Sequence, residues 1–104
     1  MVTVHQTNQF SSWLKGLKDN TAQARILVRI KRFESGNFGD SKSVGDGIFE
    51  ARFPFGPGYR VYYLKRGEEV TILLCGGDKS SQEDDIRKAK VIAKDINYGT
   101  DPTL

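Results

Sequence analysis

Apolar residues recur with a helical period twice in the first third of the chain. Phe10, Trp13, Leu14 and Leu17 fall at i, i+3, i+4 and i+7, one face of a helix that Asn8 or a neighbour is placed to cap. Asp19-Asn20-Thr21 breaks the pattern and offers cap residues for a second helix. There Ala22, Ile26, Ile30 and Phe33 form a stripe at i, i+4, i+8 and i+11. The short polar break between the stripes predicts a helical hairpin. Ahead of it, Val2-Thr3-Val4 reads as a short first strand.

The pattern then changes. Glu34 to Gly47 is rich in glycine and polar residues and is read as loop. From Ile48 the period becomes two: Phe49, Ala51 and Phe53 share one face, and Ile48, Glu50 and Arg52 the other. Pro54-Phe55-Gly56-Pro57-Gly58 is a turn. Tyr59 to Leu64 is a β-branched and aromatic strand, closed by a hairpin turn at Lys65-Arg66-Gly67-Glu68. Glu69 to Cys75 is apolar enough for a central strand, and Gly76-Gly77 is expected to end it. Ser80 or Ser81 offers the cap of a last helix, with Glu83 and Asp84 as capping-box partners and Ile86, Ala89, Ala93 and Ile96 as its apolar stripe. From about Tyr98 the chain is expected to fray. The order is β-α-α-β-β-β-α. Consecutive strands joined by tight turns favour an antiparallel sheet, and a helical hairpin packed on one face makes the fold α+β, with a C-terminal helix.

Length bounds this to one domain, residues 1–104, with a single core and no room for a second. At 38% hydrophobic and 28% charged, the composition is that of a globular domain and excludes a disordered chain. A formal charge of +3 permits a polyanionic partner without requiring one. Cys75 is the single cysteine, which excludes an intrachain disulfide, and its apolar neighbours make it a core residue. Met1 to Phe10 lacks the apolar centre of a signal peptide, and no apolar run is long enough for a membrane span. A cytoplasmic location is expected.

Few chemistries are open to this residue set. One histidine and one cysteine exclude a His/Cys zinc site, and neither a phosphate-binding P-loop nor a dinucleotide-binding loop is present. No metal and no cofactor are expected. What remains is charge on and beside strands: Glu50 and Arg52 on one face, Arg60 on the next strand, Lys79 after the last, and Lys42 in the loop before the sheet. A meander brings Arg52, Arg60 and Lys79 to one side. Like charges repel, so such a gathering calls for a reason, and a phosphate ligand is one, because guanidinium binds phosphate oxygens bidentately. The alternative is that Arg52 and Arg60 are solvated strand residues, or pair with Glu50. Tyr62 is placed either to stack on a base or to pack in the sheet.

Three runs carry a resemblance: Gly47 to Phe53, Gly56 to Tyr63, and Leu73 to Gln82. Together with Trp13-Leu14, Arg25-Ile26, Arg29-Ile30 and Gly36 to Asp40, they resemble the RelE/ParE toxin superfamily. More narrowly, they resemble its HigB-type, phage Gp49-like "addiction module killer" branch. The resemblance spans roughly residues 8 to 97.

The resemblance implies an α+β toxin masked by a small helix-turn-helix antitoxin. RelE-like members cut mRNA, usually on the ribosome, whereas ParE-like members poison DNA gyrase. The Tyr-Arg of the family's central strand matches Tyr59-Arg60, which makes Arg60 the residue at the scissile phosphate. Of two alternate positions that are basic in RelE-like members, this chain has Glu50 and Arg52. The basic residue after the last strand matches Lys79. The C-terminal tyrosine acid of RelE-like members has no match, since the chain runs into a helix at Ser80 and Tyr98 lies far along it.

Metal-independent cleavage of this kind has the neighbouring 2′-hydroxyl attack the phosphate and expel the 5′-oxygen. The expected roles are charge stabilisation by Arg60 and Arg52, proton removal by Glu50, and phosphate binding or proton donation by Lys79. Lys42 and Tyr62 are the expected RNA contacts. Two readings from other classes stay open: a gyrase poison without nuclease activity, and a non-catalytic partner that binds its antitoxin and regulates their operon.

Overall fold

Side-chain oxygens start the first two helices. Thr7 accepts from the backbone of Phe10 and caps α1 (Asn8–Lys15), and Asp19 accepts from Thr21 and Ala22 and caps α2 (Asn20–Phe33). Thr7 is wholly buried, and its hydroxyl also donates to the carbonyl of Leu74, tying the helix start to the sheet. In this computed structural model, which describes residues 1–97, β1 is Thr3–Gln6 and the other strands are β2 (Ser41–Gly45), β3 (Ile48–Arg52), β4 (Tyr59–Arg66) and β5 (Val70–Asp78). A 3-10 turn (Lys79–Ser81) leads into α3 (Gln82–Asn97). Tyr98 and the end expected to fray lie outside the described residues.

The fold class is α+β. The five strands form one sheet in the order β1-β5-β4-β3-β2. β3 to β5 form the expected antiparallel meander and β2 extends it, but β1 pairs with β5 in parallel, Thr3 opposite Val70 and Gln6 opposite Leu73. The sheet is therefore mixed. No turn links these two strands, so their direction is set by the helices between them rather than by a hairpin.

The loop expected from Glu34 to Gly47 contains a strand, so the order is β-α-α-β-β-β-β-α. Asp46-Gly47 is a two-residue turn with both φ values positive, 58° and 77°, and Gly45 pairs with Ile48 across it. Asp-Gly is a strong short-range hairpin signal. β2 was obscured because its residues are mostly small and polar, as an edge strand permits.

Helices cover both faces of the sheet. Against α1 and α2 pack Ala51, Phe53, Val61, Tyr63 and Leu73, around Phe10, Ile26 and Phe33. Against α3 pack Ile48, Tyr62, Leu64, Ile72 and Leu74, around Ala89, Ala93 and Ile96. Burial on both faces explains why β4 and β5 are apolar without strict alternation.

β5 does not stop at Gly76-Gly77; it runs through both glycines to Asp78. Tyr62 faces Cys75 while Tyr63 faces Leu73, so Leu74 is an extra residue that bulges the strand. Past the bulge, a Cβ at Gly76 would overlap the Trp13 ring, and one at Gly77 would overlap the Asp85 carboxylate. The glycines thus admit α1 on one face and α3 on the other. Asp78 caps the 3-10 turn that leads into α3. Its carboxylate accepts from the Ser80 amide at 2.8 Å, with Ser81 as the reciprocal partner of a capping box.

Candidate functional site

Residues on one face of β3 and β4 meet as cross-strand pairs. Glu50 lies opposite Tyr62, and one pair further along Arg52 lies opposite Arg60. The start of α3 closes over the first pair and leaves the second partly open. Glu50 and Tyr62 are both 0% exposed, whereas Arg52 and Arg60 keep intermediate exposure.

Glu50 is the hub. Its Oε2 accepts from Tyr62 Oη at 3.1 Å and from Gln82 Nε2 at 2.8 Å. Its Oε1 lies 3.8 Å from Arg60 Nε and 4.0 Å from Lys42 Nζ. A buried carboxylate of this kind demands compensation, and two cations and two hydrogen-bond donors supply it. Burial first, and the Glu50 charge second, push the Tyr62 phenol far above its ordinary range, so Tyr62 acts as a neutral donor. With its ring in the core, Tyr62 offers no face to a base, and the stacking role expected of it is overturned. Glu50 is enclosed, with Oε2 already accepting two hydrogen bonds and Oε1 facing Arg60.

Arg60 is anchored at both ends of its guanidinium. Nε faces Glu50, and Nη1 donates at 3.3 Å to the carbonyls of Gly58 and Tyr59. Arg52 does not pair with Glu50. Its Nη2 donates to Asp40 Oδ1 at 3.0 Å, and its backbone amide donates to the Asp40 carbonyl. Arg52, Arg60 and Asp40 line an open hollow of about 410 Å³ with Phe53, Pro54 and Gly58. Lys79 is exposed beside it: a Cβ built on Gly58 would stand 3.3 Å from Lys79 Cβ and 3.6 Å from Arg60 Nη1. The fold therefore gathers Arg52, Arg60 and Lys79 around Gly58. Lys42 is on β2 rather than in a loop, with its side chain 51% exposed and its ammonium toward Glu50. Cys75 is buried in the α3-side core.

Two residues of this site escaped the sequence reading. Gln82, the first residue of α3, bonds Glu50 from the opposite layer, and nothing local in the sequence marks it. Arg29 crosses from α2 to donate to the carbonyls of Arg52, Phe38 and Asp40, with its guanidinium 4.4 Å from the centre of the Phe53 ring. Burial pulls its pKa below the ordinary arginine value, with Asp40 opposing. It pins the corner from which Asp40 and Arg52 project. The available signal was a charge one position from Ile30, between the buried Ile26 and Phe33.

Among the described residues, no group of three or more His, Cys, Asp or Glu side chains converges to hold a metal ion, and no helix is long and apolar enough to cross a membrane. Residues 12–97, which include every residue of this site, match the family of phage-derived Gp49-like proteins (DUF891). The chain belongs to the Gp49-like family. That family is part of the RelE/HigB-type toxin group. A relative of this Gp49-like chain, an uncharacterized protein of Haemophilus influenzae, is 52% identical over 95 residues, which is 91% of this chain and 96% of its own. No solved structure matches this Gp49-like chain.

Proposed function

We propose that this chain is the toxin of a type II toxin–antitoxin pair, and that it arrests translation by cutting mRNA on the ribosome at the Arg52–Arg60 hollow. Membership of the Gp49-like family supports the toxin class. One observation carries the choice of chemistry: two arginines stand directly opposite each other on neighbouring strands, one of them held in place by a buried glutamate. Like charges opposite each other in a sheet are destabilising. An anionic phosphate group bound between them removes that penalty.

In this reading Arg60 and Arg52 bind the non-bridging oxygens of the scissile phosphate. They stabilise the extra charge that builds as the 2′-hydroxyl oxygen attacks phosphorus, passing its proton to solvent water, and the 5′-oxygen leaves. Lys79, exposed at the rim, protonates the departing 5′-oxygen. Glu50 is a positioning residue: it orients Arg60 and keeps its charge compensated until RNA arrives. Lys42, exposed on β2, contacts the RNA backbone. The protein partner is a helix-turn-helix antitoxin, and the site of action is the cytoplasmic ribosome.

A gyrase poison without nuclease activity is the second reading, and one observation favours it. The carboxylates nearest the arginines are both committed, Glu50 by burial and Asp40 to Arg52. Primer extension on a defined mRNA in a translating extract separates the two. New 5′ ends with the wild type and not with Arg60→Ala, a loss of about a hundredfold or more for one electrostatic stabiliser, support cleavage. Intact message together with inhibited supercoiling by purified gyrase establishes the second reading.

A further inference from the structure

A second groove lies on the other side of the β3–β4 turn, between that turn and the outer face of α2. It measures about 420 Å³. Its floor is apolar: Val28, which is 54% exposed although it sits in a helix, and Phe53, Pro54 and Phe55 from the turn. Its rim is cationic. Arg25, Arg29 and Arg32 fall at i, i+4 and i+7 on α2, and no acidic side chain lines the groove.

We infer that this groove docks an acidic amphipathic peptide segment of a partner protein, whose apolar residues meet Val28 and the turn and whose carboxylates meet Arg25 and Arg32. Charge complementarity argues for it: like charges aligned on one helix face repel, and carboxylates offset that repulsion. An exposed valine between them suits an apolar anchor and not a phosphate. Single-stranded nucleic acid is disfavoured because it needs open aromatic faces to stack on. Here Arg25 lies over Phe55 with its guanidinium carbon 5.0 Å from the ring centre, and Arg29 covers Phe53. Phe55 also meets Phe53 edge-on and tilts against Tyr59.

The groove shares Phe53 and Pro54 with the hollow that holds Arg52 and Arg60. A segment seated in it stands beside that hollow and restricts access to it. The docking inference itself does not depend on the nuclease reading.

The test is fluorescence anisotropy on the full chain. The probe is a labelled peptide in which leucines at helical spacing alternate with glutamates. Its controls are the same peptide with lysines for glutamates, and a labelled single-stranded oligonucleotide. The glutamate peptide binds, the lysine peptide does not, and Arg25→Glu combined with Arg32→Glu weakens binding by about tenfold or more. Arg32→Glu alone gives a smaller loss in the same direction. The two positions are exposed, so the denaturation midpoint stays near that of the wild type. Failure of the glutamate peptide to bind overturns the inference, as does binding that is unchanged by charge reversal. A charge-reversed protein that loses the oligonucleotide while keeping the peptide also overturns it, and marks the groove as a nucleic-acid surface.

Discussion

Arg60 Nε and Glu50 Oε1 face each other at 3.8 Å, both are buried, and neither has a hydrogen-bond partner within the protein. The separation is too long for a hydrogen bond and short enough for strong attraction in a dry setting. Arg60 is thus oriented by charge at Nε and by the Gly58 and Tyr59 carbonyls at Nη1, and it lines the hollow without being locked to a carboxylate. A guanidinium held this way retains donors for a phosphate, which one locked in a bidentate carboxylate pair would not.

Removing Glu50 tests this arrangement. Glu50→Ala strands a mostly buried Arg60 and leaves Tyr62 Oη and Gln82 Nε2 without their acceptor, which is expected to cost about 3–5 kcal/mol of stability. Glu50→Gln preserves the shape and an acceptor for Tyr62, so it costs less but loosens Arg60. Urea denaturation of both variants checks the order. Equal, near-zero losses would show that the buried carboxylate does not hold the site together.

Arg29 is expected to matter as a brace. Arg29→Ala removes the donor from three carbonyls at one corner and uncovers Phe53. The expected loss is roughly 2–3 kcal/mol, in line with hydrogen bonds made by a charged group. Arg29→Lys keeps the charge but not the fork, and recovers only part of the midpoint. Thermal denaturation read beside message cleavage distinguishes a brace from a substrate contact: a brace lowers both together, and lysine restores both together.

Asp40 restrains Arg52 from the solvent side. This pair is largely exposed, with side chains 39% and 58% accessible, so Asp40→Asn should change stability by less than about 1 kcal/mol. It also frees a guanidinium and removes a negative charge from the hollow. Short RNA is therefore expected to bind several-fold more tightly at low salt, with the gain shrinking as salt rises. A filter-binding titration across ionic strength decides it, and weaker binding by Asp40→Asn would exclude the hollow as a phosphate site.

Cys75 sets a pH dependence. Burial, aided by the Asp85 charge, pushes its thiol up to about 12 from an ordinary value of 9.0. In the unfolded chain the thiol ionises as pH passes 9, while in the folded protein it stays protonated. Its stabilising contribution is therefore complete below pH 9 and is lost as pH rises toward 12. Tyr62 and Tyr63 act in the same direction from about pH 10, so the window between pH 9 and 10 isolates the cysteine. Cys75→Ala should flatten the fall in denaturation midpoint across that window, and native Cys75 should resist alkylation at pH 8.

The chain's local patterns determined a great deal. The helical stripes of Phe10 to Leu17 and Ala22 to Phe33 and the period-two run at Ile48 depend only on neighbours a few residues away, so α1, α2, β3 and β4 were legible, as was the meander they begin. The cationic candidates Arg52, Arg60 and Lys79 were legible for the same reason, since tight turns between consecutive strands leave little choice of neighbour.

Tertiary structure decided the rest, wherever a residue's role depends on a partner distant in sequence. β2 is recruited by pairing with β3, and β1 aligns in parallel because helices, not a turn, carry the chain away from it. Gly76 and Gly77 look like a strand terminator, yet they are the clearances for Trp13 and Asp85 arriving on opposite faces. Only when α3 closes over β3 does Gln82 meet Glu50, 32 residues away, and bury its carboxylate beside Arg60. Alternation along a strand states which face a side chain takes, but whether that face is wet or covered depends on what packs there. Here the last helix covers Glu50 and leaves Arg52 open.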